Sequence, residues 1–364
     1  MSSPPVPKYR REIANFVEVC EDLAQTREVW TSRPYFIEYS TNTACNLRCI
    51  MCSQSADPAV VSTPKAARGK LMDELFREAT VLTPSATSEP LLNNLKELLP
   101  KLEEHDVWLD IITNGALLTP EVLEQLLPRL AQLTFSIDSQ VPAIFEKLRA
   151  PANFEDVTGK ARYAIERCRE VGLPVTIHMV MVAKNVPHLA GFVDFVVDDL
   201  GGRDITVLEL LDSSERFAEL DAFAAHGEDG VAAALAAMTQ RAEERGVNLR
   251  IEVHAPHGKE HTNFAAPQRI NSPAVMEVMR LELAKKHLGF CPHVMGYLKV
   301  EPDGEAFPCC RGPRELRLGN VLEEGVDAVW NGAAMQDLRK RMFSGDLPPV
   351  CVGCSVLEAP KWFA

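Results

Sequence analysis

Three cysteines are the residues of this chain best equipped for chemistry. Cys45, Cys49 and Cys52 fall in the run Thr43-Ala44-Cys45-Asn46-Leu47-Arg48-Cys49-Ile50-Met51-Cys52, a C-x3-C-x2-C spacing. Three thiolates this close cannot all pair as disulfides. They can hold one multinuclear metal centre on a single loop, because soft thiolates suit iron–sulfur clusters and zinc. A [4Fe-4S] cluster held by three protein ligands leaves one iron open, and an open metal position can take a small molecule. A structural zinc loop or three packed thiols is the plainer alternative.

A second set stands near the C-terminus: Cys291, Cys309, Cys351 and Cys354. Cys291 and Cys309 flank Tyr297 to Pro308, which reads as a β-hairpin turning at Asp303-Gly304. A hairpin brings its ends together, so these two cysteines can share a site. Cys351-Val352-Gly353-Cys354 is a CxxC knuckle. Together they make a four-thiolate site, enough for a fully ligated [4Fe-4S] cluster or a tetrahedral zinc, and spacing alone does not choose. Cys310 is left over as a swapped ligand, a redox thiol or a packed small hydrophobe.

The elements that must position these groups alternate. Residues 1–34 form a mixed, partly helical extension. Strands are expected at Tyr35–Ser40, Thr80–Thr83, Val107–Thr113, Leu133–Ile137, Pro174–Val182, Ile205–Leu211 and Asn248–Val253. Helices are expected at Gly69–Ala79, Leu91–His105, Thr119–Leu130, Phe154–Val171, His188–Leu200 and Val231–Arg245. Thr119 with Pro120 reads as a helix start, and Gly172 as a helix end. Repeated β-then-α units imply a parallel sheet with right-handed crossovers. The fold expected is α/β: a partial (β/α)6 TIM-like barrel over residues 35–254, with a small C-terminal β-hairpin/helix cluster-binding domain over 291–364. Residues 255–290 join them as linker, or active-site cover, and helix. The cysteine loop directly follows the first strand, and catalytic groups in such barrels sit at the strand C-terminal ends.

The cysteine triad, placed after a strand, resembles the signature of the radical S-adenosylmethionine (SAM) enzymes. In that family the open iron holds SAM, which is cleaved to a 5′-deoxyadenosyl radical. The C-terminal order, with Gly319-Asn320-Val321, Val329-Trp330-Asn331 and Leu338-Arg339 between the cysteines, is similar to the Twitch variant of the family's SPASM extension. The resemblance implies an auxiliary [4Fe-4S] cluster on Cys291, Cys309, Cys351 and Cys354. The chain ends ten residues after Cys354 without another cysteine, so one auxiliary cluster is expected.

The resemblance also implies a set of SAM contacts. Met51 would lie over the adenine. Ser88 and Glu89 fall where the family shows Gly-Gly-Glu-Pro; this chain keeps Glu89-Pro90 but has Thr87 and Ser88 in place of the glycines. Ser136, in the run Ser136-Ile137-Asp138, would reach the ribose or carboxylate, and Asp138 is placed with it in the cofactor site. Arg149 would pair with the carboxylate through its planar donor fork, unless it forms a surface ion pair with Glu146 or Glu155. Asn185 also matches a position near SAM, whereas Asn114 can be explained by turn chemistry. On the substrate side, His178, Glu209 and His254 are polar residues in or ending apolar strands, candidates for a base or for simple hydrogen-bonded packing. Cys310 is a candidate hydrogen-atom donor.

Composition narrows the partners. The net charge of −13 argues against a nucleic-acid phosphate binder. No 18-residue apolar run and no signal-peptide pattern occur, so no membrane span is expected, and the ten cysteines fit a reducing, cytoplasmic setting. About 34 residues precede the first strand, too few for the leader-peptide module of peptide-maturing members. The expected substrate is therefore a hydroxylated small molecule: an amino sugar, an aminocyclitol or a related carbohydrate. The expected reaction is hydrogen abstraction leading to oxidation, with the auxiliary cluster as electron acceptor and a flavodoxin- or ferredoxin-type reductant. Epimerisation, peptide maturation, and a zinc-stapled scaffold without activity are the alternatives.

Overall fold

A computed structural model of the protein describes residues 8–55, 59–84, 88–210, 215–252, 290–309, 314–352 and 354. Ten strands form one sheet: β1 Phe36–Tyr39, β2 Val81–Thr83, β3 Trp108–Thr113, β4 Leu130–Ser136, β5 Val175–Met181, β6 Asp204–Glu209, β7 Asn248–Glu252, β8 Tyr297–Val300, β9 Glu305–Phe307 and β10 Gly319–Asn320. Their order is β10-β9-β8-β1-β2-β3-β4-β5-β6-β7. Neighbours from β8 through β7 are parallel, while β9 and β10 return antiparallel. The sheet does not close, which is the open form of the expected barrel.

The C-terminal hairpin continues this sheet. β8 pairs with β1 in parallel, Glu38 beside Lys299, so the residues after Cys291 form a wall of the barrel as well as a cysteine site. Gly296 makes the close approach possible. Its carbonyl accepts from Tyr35 N at 2.9 Å, and any Cβ there would strike the Tyr35 ring.

The helices are α1 Lys8–Ala24, α2 Lys65–Leu75, α3 Leu95–Glu104, α4 Pro120–Leu126, α5 Pro142–Leu148, α6 Phe154–Glu170, α7 Leu189–Asp198 and α8 Ala222–Arg245, followed by short helices at 292–296, 321–324, 326–330 and 333–344. Thr119 caps α4 as expected, its hydroxyl accepting from Val122 N. The helix stops earlier than its pattern suggested because Pro128 lies in a 3-10 turn, and β4 starts at Leu130. α2 lies a turn earlier than its spacing implied. α5, only seven residues long, was not legible at all. The helix expected at 273–288 lies outside the described residues.

The strands alternate. Ile37, Leu82, Leu109, Ile111, Leu133, Phe135, Ile177, Met179 and Val207 are buried under the helices. The opposite face, the barrel lumen, carries Glu38, Thr83, Asp110, Gln132, Ser136, His178, Thr206 and Arg250. At the outer side, the Arg339 guanidinium sits between the Trp30 and Trp330 rings, 4.4 and 4.8 Å from their centroids. Asn331 Oδ1 accepts from both Trp30 N and Arg339 Nη1, clamping the N-terminal segment to the C-terminal helices.

Candidate metal centres and active site

Cys45, Cys49 and Cys52 lie on the loop leaving β1, and neighbouring elements hold that loop. Thr41 N and Oγ1 donate to Asn93 Oδ1 at 2.6 and 2.9 Å. Ala44 N closes an Asx turn onto Asn42 Oδ1. Arg48 N and Ile50 N donate to the carbonyls of Ala150 and Leu148 at the end of α5. Ser55 Oγ donates to the Cys49 carbonyl at 2.7 Å. Leu47 N reaches Cys45 Sγ at 3.5 Å. Burial pushes the Cys45 thiol up and the Cys49 thiol to about 11, so binding a metal there displaces protons.

Glu89 joins this loop to the strand ends. It is buried; Oε1 accepts from Thr113 Oγ1 at 2.6 Å and Oε2 from Asn114 N at 2.9 Å, while its own N–H donates to the Ala44 carbonyl. Burial raises its pKa and these donors lower it in turn. Ser88 Oγ is buried with no hydrogen-bond partner among the described residues. Asn114 does more than turn: its Nδ2 donates to Asn46 Oδ1 at 2.9 Å and stands 3.9 Å from Cys45 Sγ.

Asp138 and Arg149 form a buried pair, Nε to Oδ2 at 2.5 Å and Nη2 to Oδ1 at 3.2 Å. The surface pair with Glu146 or Glu155 is thereby replaced, because α5 ends at Leu148 and leaves Arg149 pointing inward. Arg149 Nη1 reaches within 4.0 Å of Cys49 Sγ. Asn185 is fully buried as a clamp: Nδ2 donates to the carbonyls of Asp138 and Val180, and Oδ1 accepts from Val182 N. Ile50 and Met51, on the cysteine loop, pack on an apolar patch of Ile144, Leu148, Val180, Val182, Leu210 and Phe217.

Ser136 ends β4 beside His178 on β5. His178 faces the lumen, and burial, with Arg250 and Arg149 nearby, drives its pKa down to about 4. It is a neutral imidazole at pH 7. Glu209 was a candidate for the same interior or for simple hydrogen-bonded packing. Its register partner is Met181, whose side chain is in the core under the helices, so Glu209 falls on the outward parity of β6. His254 and Cys310 lie outside the described residues.

In the C-terminal set, Cys291 is buried, with its thiol pushed up to about 11 by burial and, to a lesser degree, by Cys354 and Cys351. Those three cysteines are therefore neighbours. Cys309, after β9, has its Sγ 3.3 Å from His293 Nδ1. The His293 ring stacks on Tyr297 at 5.0 Å, and the Tyr297 hydroxyl donates to Glu38 Oε2, so this site touches the lumen wall. His293 and Glu38 are functional candidates that sequence patterns did not single out, although a Glu in the run Phe36-Ile37-Glu38-Tyr39 is a visible signal.

Among the described residues, neither cysteine set draws three sulfurs within 4.8 Å of one another. Tetrahedral zinc, with Zn–S near 2.3 Å, needs sulfurs about 3.8 Å apart. The donor sets fit iron–sulfur clusters: three thiolates beside an apolar patch and a buried Arg–Asp pair, and four thiolates on hairpin and knuckle.

Comparison with known proteins agrees. The radical SAM superfamily model matches residues 39–196, and the SPASM iron–sulfur cluster-binding domain matches residues 291–355. The AdoMet-dependent heme synthase of Methanosarcina barkeri is 23% identical over 343 residues, 89% of this chain and 92% of that protein. The mycofactocin maturase MftC of Mycobacterium tuberculosis is 27% identical over 165 residues, 44% of this chain and 41% of that one. Among solved structures, Streptococcus suis SuiB bound to S-adenosylmethionine superposes with a TM-score of 0.62 at 14% identity, covering 98% of this chain and 78% of SuiB. Native anSMEcpe with bound AdoMet gives 0.58 at 15% identity, covering 89% and 87%. The cofactors are accordingly a [4Fe-4S] cluster with SAM and auxiliary iron–sulfur chemistry in the C-terminal domain. The chain belongs to the radical SAM superfamily, as an enzyme with a C-terminal SPASM domain.

Proposed function

We propose that the enzyme oxidises a hydroxylated small molecule, of the amino sugar, aminocyclitol or carbohydrate class, held in the barrel lumen. The observation that carries this reading is the lumen itself. Beside the apolar Phe36, Val81, Trp108 and Ile112, the same face presents Glu38, Asp110, Gln132, Ser136, His178 and Arg250, polar groups that a barrel filled only by branched apolar side chains would lack and that can recognise a substrate rich in hydroxyls. When bound, the first cluster with SAM supplies a 5′-deoxyadenosyl radical, and the auxiliary cluster supplies an acceptor for one electron.

The chain's own residues divide the remaining work. Cys45, Cys49 and Cys52 would hold the first cluster, and Cys291, Cys309, Cys351 and Cys354 would hold the second. Ile50 and Met51 seat the adenine on their apolar patch. Ser88 Oγ, Ser136 and the Asp138–Arg149 pair line the SAM end, with Arg149 oriented by Asp138 and Asn185 fixing the Asp138 backbone. His178, neutral, is a hydrogen-bonding group for a substrate hydroxyl. A flavodoxin or ferredoxin would supply the reducing electron. Loss of a hydrogen atom, an electron and a proton from a carbinol leaves a carbonyl.

A second reading, maturation of a peptide, is favoured by the MftC relative; epimerisation would return a hydrogen atom in place of losing the electron. One assay separates them. Carbinol-deuterated polyols and amino sugars, and a peptide panel, are given to the anaerobic enzyme with SAM and dithionite. The proposal expects deuterium in 5′-deoxyadenosine and a product two mass units lighter than the unlabelled substrate. A product one mass unit lighter than the deuterated substrate, with its centre inverted, favours epimerisation. Turnover of peptides alone overturns the small-molecule reading.

A further inference from the structure

Glu38 and Asp110 each interrupt an apolar strand, and both side chains face the lumen. Glu38 lies beside Thr83 on β2 and Lys299 on β8. The pairing of Leu82 with Leu109 brings Asp110 next in line after Thr83. Glu38 is 6% exposed. Its Oε2 accepts from the Tyr297 hydroxyl, but its Oε1 accepts no hydrogen bond among the described residues. The cation beside it is Lys299, whose Nζ stands 4.0 Å from that oxygen and 2.7 Å from Glu301 Oε1. Asp110 Oδ2 accepts one long bond from Thr83 Oγ1 at 3.4 Å, and its buried Oδ1 accepts none.

Among the described residues, the groups of opposite charge facing these two carboxylates are Lys299, which a third carboxylate already engages, and His293 beside Glu38. Burial, with the field of Glu38, pushes Asp110 up to about 6. The opposite wall does not offset this excess: His178 is neutral, and Arg250 is matched by Glu252, Nη1 to Oε1 at 3.9 Å. A buried carboxylate oxygen without a donor is costly, and native proteins keep one where something else supplies the donor. Depth fits as well. Asp110 lies four residues before Asn114, which directly follows β3, at most about 13 Å along the chain, and Asn114 Nδ2 stands 3.9 Å from Cys45 Sγ.

We infer that Glu38 Oε1 and Asp110 Oδ1 form a subsite for the protonated primary amine of the substrate, at the floor of the lumen below the cysteine loop. This rests on the reading that the substrate occupies the lumen, and it narrows the substrate class to one carrying an ammonium group on a body that reaches up toward the cysteines. An ammonium offers N–H donors to both oxygens and a charge to both carboxylates, contacts stronger than those of a neutral hydroxyl.

The test uses the anaerobic, cluster-loaded enzyme with SAM and isothermal titration. The probes are aminocyclitols and 2-, 3- and 4-amino monosaccharides, each paired with its hydroxyl analogue. At least one amine is expected to bind about tenfold or more tightly than its hydroxyl partner. Glu38→Gln and Asp110→Asn, near-isosteric and checked for folding by thermal melting, should bring that ratio close to one. Equal affinity within every pair, no binding across the panel, or a preference retained in both variants overturns the subsite. Deuterium transfer to 5′-deoxyadenosine is scored on the same samples. Transfer from hydroxyl analogues without amine preference sinks the subsite alone. Amine preference without transfer from any compound sinks the oxidation alone.

Discussion

Arg149 is held by Asp138 at 2.5 Å in a buried ion pair, and its other edge stands 4.0 Å from Cys49 Sγ. A cation there favours the thiolate form of Cys49 against the burial that opposes it. Asp138 also accepts from Val180 N, tying the pair to β5.

Breaking this pair from one side leaves an uncompensated buried charge. Asp138→Ala is expected to destabilise the protein by about 3–5 kcal/mol, and Asp138→Asn combined with Arg149→Met to recover part of that loss. Urea denaturation of the three proteins checks this. A loss below about 1 kcal/mol in Asp138→Ala would show that the pair is solvated.

Asp110 gives stability a pH signature. Its folded pKa of about 6 stands above the ordinary 3.8, so the folded protein holds the proton longer than the unfolded chain. That contribution is fully present below pH 3.8 and is lost as pH rises to about 6. Above pH 6 a constant cost of up to about 3 kcal/mol remains. Asp110→Asn should therefore be more stable than the parent at pH 8, by about 1–3 kcal/mol, with the gap closing toward pH 4. Denaturation midpoints at pH 4, 6 and 8 decide it, and equal stability at pH 8 would contradict it.

Gly296 is where the C-terminal cysteine domain meets the barrel. Gly296→Ala drives a methyl group into the Tyr35 ring, so β8 must shift from β1. The expected result is a destabilisation of about 1–3 kcal/mol, together with weakened auxiliary cluster binding while SAM cleavage persists. Iron content per chain and 5′-deoxyadenosine formation, measured together, test the split; parental iron and melting temperature in this variant would show that the junction yields freely.

The parts of the site legible in the sequence were those with a fixed local spacing. The cysteine loop after β1, the Glu89-Pro90 step and the Asp303-Gly304 hairpin each depend on neighbours a few residues away. The parallel pairing of β8 with β1 was not legible, because nothing in Tyr297–Val300 names the edge it joins. Arg149 likewise shows no partner in its own helix, since Asp138 lies on the preceding strand exit. The face that Glu209 takes was not legible, because strand parity runs from the register with Met181, which sequence alone does not supply. Glu38 and Asp110 were visible as charges in apolar strands, but only the sheet places them on one wall.

On the proposed assignment, two cysteine sets would hold two clusters, the first of which supports SAM cleavage. The most direct measurement is iron and sulfide content after anaerobic reconstitution, with dithionite-driven 5′-deoxyadenosine formation on the same samples, for the parent, Cys49→Ala and Cys354→Ala. About eight irons and SAM cleavage are expected in the parent. Cys49→Ala should lose about four irons and all cleavage, and Cys354→Ala should lose about four irons and keep cleavage. Zinc in place of iron, or cleavage retained in Cys49→Ala, would contradict it.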